Sequence, residues 1–69
     1  QTAGRERNYR TLLGRGDAAL RDGDTFGAIE AFSGAVALHP DSMLAHYRRG
    51  ESYRQRGELE AAARDFRTA

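Results

Sequence analysis

The chain has 69 residues, 39% of them hydrophobic and 30% charged, with a formal charge of only +1. A chain this short forms one small domain that buries about 60% of its unfolded surface, and its charge gives no general pull toward nucleic acid. It has no cysteine, which excludes disulfides and thiolate metal sites, and no apolar run approaches the roughly 18 residues of a membrane span.

In chain order, the punctuation predicts helices throughout. The first runs from about Glu6 or Tyr9 to Asp22, with residues 1–8 an N-terminal extension or the start of that helix. It stops at Gly23, a residue free to take the left-handed cap conformation. Asp24 then caps a second helix, whose apolar set Phe26, Ile29, Phe32, Ala35 and Val36 recurs at helical spacing. That helix ends at His39, since Pro40 disfavours helix in the residue before it. Asp41 or Ser42 caps the third helix, which runs to Arg56 and stops at Gly57. The fourth starts near Glu58 or Leu59 and is still helical at Ala69. No segment alternates apolar and polar residues as a strand would.

The chain repeats itself. Shifted by 34 residues, Tyr9–Ala35 falls on Met43–Ala69 with six identities: Arg15 on Arg49, Gly16 on Gly50, Gly23 on Gly57, Ala28 on Ala62, Phe32 on Phe66 and Ala35 on Ala69. Asp17 on Glu51 and Asp24 on Glu58 exchange one acid for another. The identities fall on small and aromatic residues, the kinds that close helix packing requires. Gly16 and Gly50, with Ala28 and Ala62 opposite, let the helices of a unit approach closely. A mid-helix glycine costs about 1 kcal/mol in propensity, so its recurrence at one offset signals a packing demand. Phe32 and Phe66 are expected to fill the space between helix pairs. Arg49 needs a carboxylate, for which Asp65 is the candidate. Arg15 faces Ala31 at the equivalent place, so it either pairs with an acid of a preceding repeat or reaches solvent along its aliphatic stem.

Gly23-Asp24-Thr25-Phe26-Gly27-Ala28-Ile29-Glu30, followed by Phe32, Ala35, Leu38 and Pro40, resembles the second half of a tetratricopeptide repeat. Tyr47-Arg48-Arg49-Gly50-Glu51-Ser52-Tyr53 resembles the first half in its Arg-Gly variant. Leu12 and His46 stand where an aromatic is usual, and Thr25 departs likewise after Gly-Asp. The resemblance covers Tyr9–Ala69 and implies an all-α fold: antiparallel helix–turn–helix pairs stacked as an α-solenoid of about four helices. The units are 9–42 and 43–69, the second helix of the latter being truncated.

The resemblance implies a protein–protein interaction scaffold with no catalytic residues, metal or cofactor. Its concave groove would be lined by Arg10, Leu13, Asp17, Leu20 and Arg21 from the first unit. Leu44, Tyr47, Arg48, Glu51, Arg54 and Gln55 would line it from the second. The family's carboxylate clamp for chaperone tails uses Lys and Asn on these helices. This chain has no lysine, and Asp17 and Glu51 occupy the asparagine places, so that reading is rejected. A mixed-charge groove with Tyr47 as anchor fits an extended peptide or a helix of a partner protein.

Other motifs have plainer readings. Arg15-Gly16-Asp17 spells the integrin-binding tripeptide, but inside a predicted helix. His39 and His46 lack further ligands at metal spacing. Acids interleave with Arg48, Arg49, Arg54 and Arg56, as on a solvated face that binds no nucleic acid. No membrane insertion is expected, and a soluble, cytoplasmic protein is the default expectation.

Two repeats are fewer than the roughly three that stabilise such arrays. The chain opens on Gln1 rather than Met, and Leu59, Ala62, Ala63 and Phe66 face an uncapped end. The expectation is therefore a segment of a longer array, or self-association through the C-terminal helix. A regulatory or substrate-recruiting segment of a larger enzyme is a further alternative.

Overall fold

Two glycines set the rhythm of the backbone. Gly23 and Gly57 both take the left-handed conformation, with φ of 80° and 82°. Each closes its helix with the same pair of bonds. Asp24 N–H donates to the Ala19 carbonyl at 2.8 Å and Gly23 N–H to that of Leu20 at 3.1 Å. One repeat later, Glu58 N–H donates to Tyr53 and Gly57 N–H to Arg54, both at 2.9 Å. These bonds satisfy carbonyls that a helix end would otherwise leave bare.

The computed structural model describes residues 2–69; Gln1, counted in the predicted N-terminal extension, lies outside them. Four helices follow in order: α1 Thr2–Arg21, α2 Thr25–Leu38, α3 Met43–Gln55 and α4 Leu59–Thr68. α1 starts earlier than either predicted start. Its early turns are held by the α2–α3 turn: Tyr9 packs edge-on against His39 at 4.4 Å and its hydroxyl lies 2.6 Å from Ser42 Oγ. Asp24 caps α2, accepting from Gly27 N–H at 2.9 Å. Of the two candidates for the α3 cap, Ser42 does the work, accepting from Ala45 N–H at 3.0 Å. Glu58 precedes α4 without a side-chain cap bond and instead pairs with Arg56 at 2.7 Å.

The main packing contacts join α1 to α2, α2 to α3, and α3 to α4. This is the stacking of two helix–turn–helix units, and α2 and α3 are each packed against two neighbours. The core is made of small side chains around one large one: Ala28, Ala31, Phe32, Ala35, Ala45 and Ala62. None of the four helices is long and apolar enough to cross a membrane.

The repeated Gly–Phe pairs are in contact. A Cβ on Gly16 would stand 2.6 Å from Phe32 Cδ1, and one on Gly50 would stand 2.7 Å from Phe66 Cε1. Phe32 is fully buried, while Phe66 is half-buried, because α4 lacks the second neighbour that α2 has in α3. The two glycines therefore tolerate alanine differently. Overpacking a core costs about 1–3 kcal/mol, and alanine recovers about 1 kcal/mol of helix propensity. Gly16→Ala is expected to lower the melting temperature clearly, since Phe32 has nowhere to move. Gly50→Ala should lose less, because Phe66 can swing outward. Thermal melts of the two variants check this, and the opposite order would refute it.

One predicted core residue is on the surface. Phe26 is 61% exposed, with the Arg56 guanidinium 5.8 Å from its ring centre. The buried stripe of α2 runs through Ala28, Ala31, Phe32 and Ala35, and Phe26 lies two residues before it, roughly 200° around the helix. Ile29 and Val36 flank the stripe and are half-buried.

Candidate functional site

α1 and α3 are the first helices of the two units, and a side-chain pair ties them together. Arg48 on α3 donates to the carboxylate of Asp17 on α1. Both residues are partly buried, so the pair is a cross-link between repeats as well as part of the surface. One turn further along α3, Arg54 donates to Glu51 at 2.8 Å. Beside the first pair, Asp17, Leu20, Arg21 and Arg48 line an open depression of about 430 Å³.

The other predicted groove residues divide by exposure. Arg10, Arg21, Leu44, Tyr47, Arg54 and Gln55 are exposed, while Leu13, Leu20 and Glu51 are partly buried. Leu44 and Tyr47 are large apolar surfaces open to solvent, at 44% and 49% exposure. Tyr47 is held in place from one side by the Phe66 ring, whose centre lies 5.6 Å away. Among the described residues, Arg10 and Arg21 take part in no ion pair.

A second polar junction lies behind this face. Arg49 Nε donates to Asp65 Oδ2 at 2.7 Å and Nη2 to Oδ1 at 2.8 Å, a forked pair of bonds between α3 and α4. Its Nη1 also donates to Ser33 Oγ at 3.2 Å, which carries the link on to α2. Asp65 is almost fully buried and Arg49 mostly so. The Asp65 hydrogen bonds raise the Arg49 guanidinium above its ordinary value, against the opposing effect of burial. The arginine therefore stays charged at any ordinary pH. The predicted Arg49–Asp65 pair is present; Ser33 was not foreseen, since a serine bears no mark of which neighbouring helix it will face. Arg15, at the equivalent place in α1, is exposed and reaches solvent.

The Arg15-Gly16-Asp17 tripeptide lies inside α1. Gly16 is buried against Phe32 and Asp17 is engaged by Arg48, so it forms no presentable loop. His39 ends α2 and His46 lies in the first turn of α3. His46 Nδ1 donates to the Ser42 carbonyl at 2.8 Å, which fixes its tautomer. His39 Nε2 is buried with a Glu6 oxygen 3.2 Å away but completes no hydrogen bond with it. Among the described residues, no three His, Asp or Glu side chains converge as metal ligands would.

Neither a curated protein sequence nor a solved structure matches the chain. A family model described as tetratricopeptide repeat matches residues 13–69, which includes the C-terminal part of α1 and all of α2, α3 and α4. Repeats of that family generally mediate protein–protein interactions. The matched span, the repeated Gly–Phe contacts and the paired helix stops agree: the chain belongs to the tetratricopeptide repeat family.

Proposed function

We propose that this chain is a non-catalytic scaffold that receives a peptide or helix of a partner protein on the face shared by α1 and α3. The observation that carries the reading is the Asp17–Arg48 pair beside its depression. The face holds four arginines, Arg10, Arg21, Arg48 and Arg54, against the two acids Asp17 and Glu51. Both acids are already matched by arginines of the same face. The charge left over is that of Arg10, midway along α1, and Arg21, at its C-terminal end. Leu44 and Tyr47 supply apolar area on α3. A segment that suits this face has an apolar or aromatic side chain for Tyr47 and an acidic residue for Arg21. Rigid aromatic anchors and arginines are the residue types that dominate binding energy at interfaces.

Selection of peptides from a random displayed library on the whole chain tests the reading. Binders are expected to combine an aromatic or aliphatic residue with an acid. Tyr47→Ala and Arg21→Glu should each weaken them about tenfold or more, with helix content unchanged. Binders indifferent to both substitutions would place the site elsewhere and overturn the proposal.

A further inference from the structure

Arg49 is not exhausted by the pair it makes. A guanidinium carries five N–H donors. Two of them go to Asp65 and one to Ser33, so two remain. Arg49 also lines a cleft of about 260 Å³ between α3 and α4, with His46 and Tyr53 beside it on α3 and Arg64, Asp65 and Thr68 opposite on α4. The cleft shares no residue with the α1–α3 face and does not depend on the peptide reading above.

The free hydrogen-bonding groups of this cleft are mostly donors. Arg64 is exposed, and among the described residues its guanidinium is in no ion pair and no hydrogen bond. The Tyr53 hydroxyl is equally without a partner among them. Asp65 is the one acid of the lining, and each of its oxygens already accepts from Arg49. His46 is 7% exposed and its Nδ1 is bound to the Ser42 carbonyl, which leaves Nε2, an acceptor while the ring is neutral and a donor once it is protonated. Two arginines against one acid make the lining positive.

The fold does not require these side chains. One repeat earlier, Leu12, Ala19, Ala31 and Gly34 stand at the places of His46, Tyr53, Asp65 and Thr68, and the acid Glu30 stands at that of Arg64. Only the arginine is common to both units, as Arg15 and Arg49. The first unit packs its helices with small and apolar residues where the second gathers hydrogen-bond donors.

We propose that this cleft of the second unit binds a phosphate group, as the inorganic ion or as a phosphate monoester. A ligand that only accepts hydrogen bonds and carries negative charge suits a lining rich in free donors. Donors come from both helices, Arg49 and Tyr53 on one and Arg64 on the other, and three terminal phosphoryl oxygens can use more of them than the two of a carboxylate. The cleft is smaller than the roughly 300–1,000 Å³ of small-molecule sites, so it takes one group and not a nucleotide.

The probes are inorganic phosphate, N-acetyl-phosphoserine amide and acetate, each titrated into the whole chain by NMR at fixed pH and low ionic strength. Inorganic phosphate is expected to shift amide resonances of α3 and α4 around the cleft and to saturate in the millimolar range. Acetate should bind at least about tenfold more weakly. A phosphoserine amide that binds as tightly as the ion supports a monoester as occupant; binding of the ion alone supports free phosphate. Arg64→Ala should weaken phosphate about tenfold, through loss of hydrogen bonds to a charged group. Arg67→Ala removes the same charge from α4 outside the cleft and should leave binding unchanged. Arg49→Met with Asp65→Leu leaves the net charge as it was and should abolish binding. Shifts that never saturate, acetate as tight as phosphate, or equal weakening by Arg64→Ala and Arg67→Ala would each overturn the proposal. So would binding that persists in a folded Arg49→Met, Asp65→Leu chain.

Discussion

Phe32→Ala is expected to leave the chain largely unfolded at room temperature. Among the described residues, Phe32 is the one large apolar side chain with no exposure at all, and the alanines around it supply little apolar area of their own. Truncating a buried phenylalanine costs about 3–5 kcal/mol. At about 0.05–0.15 kcal/mol per residue, a chain of this length has roughly 3–10 kcal/mol to lose. The cavity would open where α1 meets α2, because the ring lies against Gly16, which has no side chain to fill the space. Phe66→Ala, at the equivalent place in the second unit, should cost visibly less, since that ring is half-exposed already. Circular dichroism with thermal melts of both variants gives the comparison. Equal losses would mean that α4 is covered as fully as α2.

Asp65→Ala is the second large effect. Removing the acid leaves the Arg49 guanidinium in a mostly buried place with the Ser33 hydroxyl as its remaining side-chain hydrogen-bond partner and the Tyr53 ring 6.0 Å away. Breaking a buried pair from one side costs about 3–5 kcal/mol. Arg49 keeps about a fifth of its side chain in water, which puts the expectation at the lower end, about 3 kcal/mol. Arginine cannot escape by losing its proton. The companion double variant, Arg49→Met with Asp65→Leu, should recover most of the loss, because two apolar side chains of similar volume need no partner. Urea unfolding of the single and double variants closes the cycle. A single variant that costs less than about 1 kcal/mol, or a double variant no better than the single, would show that the pair is held in water rather than in the core.

The residues divide clearly into those whose role can be read along the chain and those whose role cannot. Gly23 and Gly57 declare themselves, since a glycine after a helical stretch and before an acid has one obvious use. The Arg49–Asp65 pair was legible for a related reason: an arginine held in the packed part of a helix needs an acid, and Asp65 was within reach on the facing helix, whereas Arg15 faces Ala31 and reaches solvent. Phe26 misled because its size was given the same weight as the small residues at helical spacing. Small residues let helices approach, so it is Ala28, Ala31 and Ala35, and not the largest side chain nearby, that decide which face of α2 turns inward. The groove residues were legible as a set but not as pairs. Asp17 and Arg48 lie 31 positions apart, and which arginine of α3 reaches that carboxylate depends on how the two helices are set against each other.

The sequence by itself determined the period, the four helices, their stops and the glycines on which the aromatic rings rest. All of these follow from local backbone preference and from a 34-residue repetition that the residues display openly. Only the tertiary structure decided which charges remain for a partner. Asp17 and Glu51 read as acids of a mixed-charge groove, and each is engaged by an arginine of α3. An ion pair between helices depends on distance and angle in space, and neither is written in the order of residues.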